Sequence, residues 1–486
     1  MSKGLRALAV AVLVAAAAVT ATALAAEVTG PSSSQSPYLV GLQHGIQTRS
    51  ILTTGDSVGG YRMVGIPDGL GAFDNGDGTF TVLMNHELPN NRGVVRAHGA
   101  VGAFVSKWVI RKDDLSVAAG QDLIQNVSTW NTATSSYNPP AKGIAFNRFC
   151  SATLAPKSAF FDAASGLGYD GRLYMNGEET AGGRAFAHAL DGTSYELPRL
   201  GKLAFENAVA NPATGTKTVV VSQDDTSPLG QVYVYAGEKT ATGAPVAKAG
   251  LTNGSLYGIR VTGFPTEPAA TGIPAGTRFT AAPLGNVENW SGAQLETAST
   301  ASGVTLFQRP EDGSWDTQNP NVYYFVTTAS FDGFSRLWRL TFDDARNPAA
   351  GGRIDMLLAG TEDGGTGERY HMLDNITVDS RGRLILQEDP GNNPYLARVW
   401  QYDPPSDTLT VIATHDPDRF QVGGANFRTV DEESSGVIDA SSILGEGWFL
   451  LDVQDHTPSA DPELVEGGQL LAMHVPPGKF PKHGKG

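Results

Sequence analysis

Short apolar runs, separated by clusters of Gly, Asp, Asn and Pro, predict strands and turns rather than helices. One unit repeats: a first strand opening on a polar residue, a turn, a second apolar strand that usually ends in an acid or His, and commonly a third strand. The second strands are GTFTVLMNHE to Glu87, GRLYMNGEE to Glu179, TKTVVVSQDD to Asp225, NVYYFVTTAS to Ser330, GRLILQED to Asp389 and GWFLLDVQDH to His456. Their partners are IPDGLGAFD, RFCSATLAP, FENAVANP, FQRPEDGSWD, LDNITVD and EESSGVIDA, and third strands such as FVSKWVI, QVYVYAG and RLWRLTFDD follow. Six radial sheets of about four strands predict an all-β, six-bladed β-propeller with long inter-strand loop insertions, a fold that protects its edges without disulfides. A sandwich or two smaller β domains is the other arrangement this pattern admits.

The units recur at uneven intervals, from about 45 to about 105 residues, whereas regular propellers repeat at about 40 to 50. The excess is assigned to insertions: the stretch from Leu115, LSVAAGQDLIQNVSTWNTATSSYNPPAKG, and the later GFPTEPAATGIPAGTRFTAAPLG, both read as long loops on one face.

Aligned internally, the units stack their first-strand polar residues in one column: Asp68, Cys150, Glu206, Arg309 with Glu311, Asp374 with Asn375, and Glu433. In a propeller the innermost strands line the channel, so these residues would face one another. Taken singly, a carboxylate before a strand reads as a solvated turn residue, and Cys150 as a small buried hydrophobe. Taken in register, so many carboxylates call for cations, because unpaired like charges at close range are costly. Glu87, Glu179, Asp389 and His456 close second strands and are candidate outer ligands with Asp68 and Asn375, and His456 could also move a proton. DNGDG at Asp74 to Gly78 lacks the downstream Glu of a calcium loop and reads as a hairpin turn.

Composition agrees with this pattern. With 58 Gly, 28 Pro and only 17% charged residues the chain is turn-dense, and a net charge of −15 argues against a nucleic-acid partner. The single cysteine, Cys150, excludes an intrachain disulfide. Lys3 and Arg6, an apolar run from Ala7 and an A-x-A site at Ala23 to Ala25 predict a Sec-type secretory signal over residues 1–25, followed by one domain over 26–486 and a secreted or periplasmic protein. No later segment is long and apolar enough to span a bilayer. G-x-S-x-G, H-E-x-x-H and a Gly-rich phosphate loop are absent from the sequence, which argues against serine hydrolase, zincin and P-loop chemistry.

The stretches PDGLGAFD…VLMNHE, the Cys150 region with YMNGEET, LGKLAFENAVANPATG…VSQDD, FQRPEDGSWD, LDNITVDSRGRLILQED and EESSG…VQDH run from Pro67 to His456. Through them the chain resembles the PhoX-type alkaline phosphatases, secreted metal-dependent propeller enzymes. The resemblance implies a cofactor of calcium and iron ions. Cys150 and Glu206 would hold iron, Glu311, Asp374 and Glu433 iron or calcium, and Arg309 the substrate phosphate, with Arg309 and Glu311 as the catalytic pair. Thiolate suits iron, carboxylates suit calcium and ferric iron, and a guanidinium matches a phosphate. The function expected is a metal-dependent phosphoesterase, a monomer acting on small-molecule phosphomonoesters. A calcium-dependent lactonase or phytase-like propeller, and a non-catalytic binding propeller, are the rival readings.

Overall fold

The computed structural model describes residues 26 to 478, so the expected secretory segment lies outside the described residues. Strands far outnumber helices in the described chain, and among the described residues no helix is long and apolar enough to cross a membrane.

Six strands form the inner edges of the sheets: Pro67–Asp74, Phe149–Thr153, Phe205–Ala210, Pro310–Trp315, Leu373–Val378 and Glu432–Asp439, here the first to sixth inner strands. Each pairs antiparallel with the next strand of its unit, and each packs beside the next inner strand, the sixth returning to the first. The inner and second strands are those the repeat predicts, and both faces of the second strands are covered. Leu83 packs with Phe149, Tyr174 and Phe186 of the second sheet, while Val82 and Met84 pack with Leu450 and Leu470 of the last. Successive side chains on a strand point to opposite faces, so a strand between two neighbours reads as a nearly continuous apolar run. The same division places Val219 and Val221 against Phe325 and Trp338, and Val220 against Leu173 and Ala208.

Two expectations are corrected. The third and fourth units are not separate sheets but one nine-stranded sheet, joined where Thr277–Phe279 pairs with Gly352–Ile354 at their outer edges. The stretch predicted as loop there contains the nine-residue strand Thr277–Gly285, long enough to bridge both units. The insertion from Leu115 likewise supplies edge strands, Val117–Asp122 on the first sheet and Asn126–Ser128 on the second. Asp74 to Gly78 is a hairpin turn as read, with Gly76 and Gly78 at φ 80° and 87°, conformations that glycine adopts without strain.

The N-terminal segment closes the architecture. Leu39–Gly41 adds to the outer edge of the fifth sheet. Gln47–Thr53 pairs with the C-terminal strand Gly467–His474 in the sixth.

Candidate metal centre

The inner strands begin in a common local geometry that aims their second residues inward. Ile66, Arg148, Arg309 and Met372, each just before an inner strand, have φ of 51°, 46°, 58° and 44°, values that cost a non-glycine residue free energy and cluster at functional sites. In all six units the carbonyl one residue before the inner strand accepts an N–H from the residue after the second strand: Glu87 to Ile66, Glu179 to Arg148, Asp225 to Ala204, Thr328 to Arg309, Asp389 to Met372 and His456 to Asp431. The fourth unit therefore presents Thr328 in this column, not Ser330 as the sequence suggested, because its second strand ends at Thr327. In the first five units the pairing register shifts at the site residue, the signature of a bulge that re-aims side chains.

These strand starts bring Asp68, Cys150, Glu206, Glu311, Asp374 and Glu433 together, all buried. Three groups have ligand atoms within 4.8 Å of one another: Asp68, Glu87 and Cys150; Cys150, Glu179 and Glu206; and Glu206, Glu311 and Asp374. They share members, so Cys150 and Glu206 link them into one chain of donors. Cys150 Sγ lies 3.3 Å from Asp68 Oδ2. Glu433 joins through Gln454, whose Nε2 donates to Asp68 Oδ2 at 3.0 Å, Glu87 Oε2 at 3.1 Å and Glu433 Oε1 at 3.3 Å.

Beneath the acids runs a second layer. Ser151 Oγ donates to Glu206 Oε1 at 2.5 Å and accepts from Asn375 Nδ2 at 2.7 Å, while Asn375 Oδ1 accepts the N–H of Gly436. Asn375, expected as an outer ligand, has both ends of its amide engaged in this layer.

Two arginines border the cluster. Arg309 Nε and Nη2 hold Asp225 at 2.8 and 2.6 Å, and Nη2 also lies 3.2 Å from Glu311. Arg148 Nη2 lies 2.7 Å from Glu87 and 2.5 Å from Glu179. Burial raises the carboxyl of the half-buried Asp389, against the opposing pull of the Gly391 N–H and the charges of His456 and Arg309. His456 Nδ1 is 2.6 Å from Glu466 Oε2; burial alone would depress its pKa, but the Glu466 contact pushes it up to about 9.

The charge balance shows what the cluster can hold. Burial raises the carboxyls of Asp68, Glu206, Glu311, Asp374 and Glu433 well above the ordinary range, and neighbouring carboxylates add to the effect. Glu179 is pushed up to about 8 by burial and then by Glu87, against the pull of Arg148. Burial and the charges of Asp68 and Glu206 push the Cys150 thiol up as well. Two arginines cannot neutralise so many acids, whereas bound cations would reverse the local pKa logic. The donor set is oxygen with one sulfur, which fits hard cations together with iron.

PhoX of Pseudomonas fluorescens, solved in complex with vanadate, a transition state analogue, superposes over 88% of this chain and 95% of its own with a TM-score of 0.61 at 12% identity. The chain has a PhoX-like fold. Sqt1 of Chaetomium thermophilum, bound to the N-terminus of ribosomal protein L10, covers 88% of the chain and 99% of its own at 8% identity, with a TM-score of only 0.39. The NanB sialidase of Streptococcus pneumoniae covers 87% and 70% at 10% identity, with a TM-score of 0.30. Neither of these two bears on the reading below. No protein-family model matches the sequence, and no curated protein does.

Sequence reasoning missed Arg148 and Gln454 as members of the site. Arg148 carried a usable signal: it stands two residues before Cys150 as Arg309 stands two before Glu311.

Proposed function

We propose that the chain is a metal-dependent phosphoesterase on a six-bladed β-propeller, exported by its N-terminal segment and acting as a monomer on small-molecule phosphomonoesters. The observation that carries this reading is the placement of the Arg309 guanidinium against a continuous set of oxygen and sulfur donors, in the fold of a phosphatase captured with a phosphoryl-transfer analogue.

The residues divide by chemistry. Cys150 with Asp68, Glu87, Glu179 and Glu206 would hold iron, because thiolate selects it. Glu206, Glu311, Asp374 and Glu433 are all-oxygen donors of the kind calcium takes. Bound there, the metals would polarise the phosphoryl group and favour a negatively charged attacking oxygen.

The protein supplies the rest. Arg309 has its Nε–Nη2 edge fixed by Asp225, and Nη1, which has no protein acceptor among the described residues, would receive a phosphoryl oxygen. A pre-aligned guanidinium of this kind stabilises charge that grows in the transition state without reorganising. His456, held by Glu466, stands near Asp389 and Glu87 as a proton source for a leaving oxygen.

The test is turnover of p-nitrophenyl phosphate by protein reconstituted with calcium and iron, with vanadate as inhibitor. Hydrolysis that needs added metal and is blocked by vanadate is expected. Failure to cleave any phosphate ester at full metal occupancy would overturn the proposal.

A further inference from the structure

Arg309 is not the only arginine that the repeat places at the rim. Arg148 precedes the second inner strand as Arg309 precedes the fourth, both with left-handed backbone. Both carbonyls accept the N–H of the residue that follows the second strand of their own unit. At the same step the remaining units carry Ile66, Ala204, Met372 and Asp431. The ring therefore has two guanidiniums at this level, and the unit between them contributes Ala204, whose side chain ends at Cβ.

We infer that Arg148 is a second anion-binding group of this site, and that the preferred substrates are phosphate esters carrying a second phosphate. The inference rests on the phosphoesterase reading and extends it to substrate class.

Neutralising Glu87 and Glu179 accounts for only part of Arg148. Both of those ion pairs use Nη2. Among the described residues no protein acceptor bonds its Nε or Nη1, and the side chain is 46% exposed against 23% for Arg309. An arginine that served only to balance buried acids would sink its donors among them, since burying a guanidinium is tolerated where its hydrogen bonds are satisfied. Arg148 instead turns an unused edge outward, and a guanidinium edge is matched to the oxygens of a phosphate.

The two arginines are anchored to different acids. Arg309 is tied to Asp225 and Glu311, at the Glu206, Glu311 and Asp374 end of the donor chain. Arg148 is tied to Glu87 and Glu179, at the end that holds Cys150. A third unit separates them. A phosphoryl group bound at Arg309 would leave Arg148 to take a separate anion on the same molecule, with the small Ala204 at the equivalent step of the unit between them.

The experiment compares a sugar bisphosphate with the matching sugar monophosphate, using metal-loaded full chain. Wild-type protein should favour the bisphosphate in kcat/KM. Arg148→Gln should lower that preference about tenfold or more, chiefly through KM, the size expected for one charge-assisted contact. Arg148→Lys keeps the charge that Glu87 and Glu179 need for folding but lacks the fork, and should retain part of the preference. A preference unchanged in both variants, or equal losses on the two substrates, would overturn the second subsite and leave the phosphoesterase reading standing. Wild-type protein that cleaves neither ester would overturn that reading and the inference with it.

Discussion

Cys150 Sγ and Asp68 Oδ2 lie 3.3 Å apart although 82 residues separate them in sequence. A buried thiol beside a buried carboxyl is a poor acid, since burial and the Asp68 charge both push its pKa up. The pair makes sense as ligands, where a cation draws both protons off. Cys150→Ser should therefore lose iron before calcium when the purified protein is assayed for metals, and lose activity with the iron. Iron content equal to that of the parent would exclude Cys150 as a ligand.

Removing the ions should cost stability even where catalysis is not measured. Ions bound only by the folded state stabilise it by mass action, and without them the chain of acids from Asp68 to Asp374 must take up protons or repel. Exhaustive chelation should lower the melting temperature by several degrees or more, and calcium should restore it. An unchanged melting curve after confirmed metal removal rules out a bound structural ion.

Arg309→Ala should reduce kcat/KM for a phosphomonoester by about 10²-fold, the typical loss on deleting one charged transition-state contact. Metal content should be preserved, because the donors of the three ligand groups do not include Arg309. Full activity in this variant would sink the phosphatase assignment.

The six-fold recurrence made the strands and the column of acids legible in the sequence, because each inner strand carries its site residue at the same step. What lay hidden has physical causes. Arg148 reads as an ordinary turn residue until its left-handed backbone and its equivalence to Arg309 are seen together. The strand Thr277–Gly285 sits in a Pro- and Gly-rich stretch, and one of its two pairing partners is an outer strand more than 60 residues away. Glu267 was hidden by the same insertion. It accepts from the N–H and side chain of Gln308, the residue before Arg309, and pairs with the buried Arg336.

That buried pair yields a stability prediction. Glu267→Ala leaves the Arg336 guanidinium, 1% exposed, without its carboxylate. Breaking a buried pair by removing one partner costs about 3–5 kcal/mol, which denaturant unfolding should register. The variant should also raise KM for phosphate esters, because Gln308 loses the anchor that sets Arg309. A loss below about 1 kcal/mol would show that the pair contributes little.

Acid should weaken the fold through two buried histidines that are not themselves in the three ligand groups. Burial depresses the pKa of His98 to about 4 and that of His188 to about 3, and both pack on Phe146. In the unfolded chain they take up protons near pH 6.5, so below that pH the unfolded state binds more protons. Their contribution is complete above about pH 6.5 and declines by about 1.4 kcal/mol per pH unit for each as pH falls toward the folded values. His188→Gln, which retains a hydrogen-bonding amide for Asn176, should flatten that slope between about pH 6 and 4. An identical slope would remove His188 as the titrating group.

The pairing of Gln47–Thr53 with Gly467–His474 makes the last sheet depend on segments from both halves of the polypeptide. The first site residue, Asp68, belongs to the first unit, and Glu433 to the last, whose sheet is completed by a strand from the opposite end of the polypeptide. A nascent chain can stack its early units, yet the last sheet stays incomplete until residues near 474 have emerged and met a segment made some four hundred residues earlier. A fragment ending before the last strand would own every one of these ligands and still lack the strand on which the last sheet and the N-terminal segment are joined.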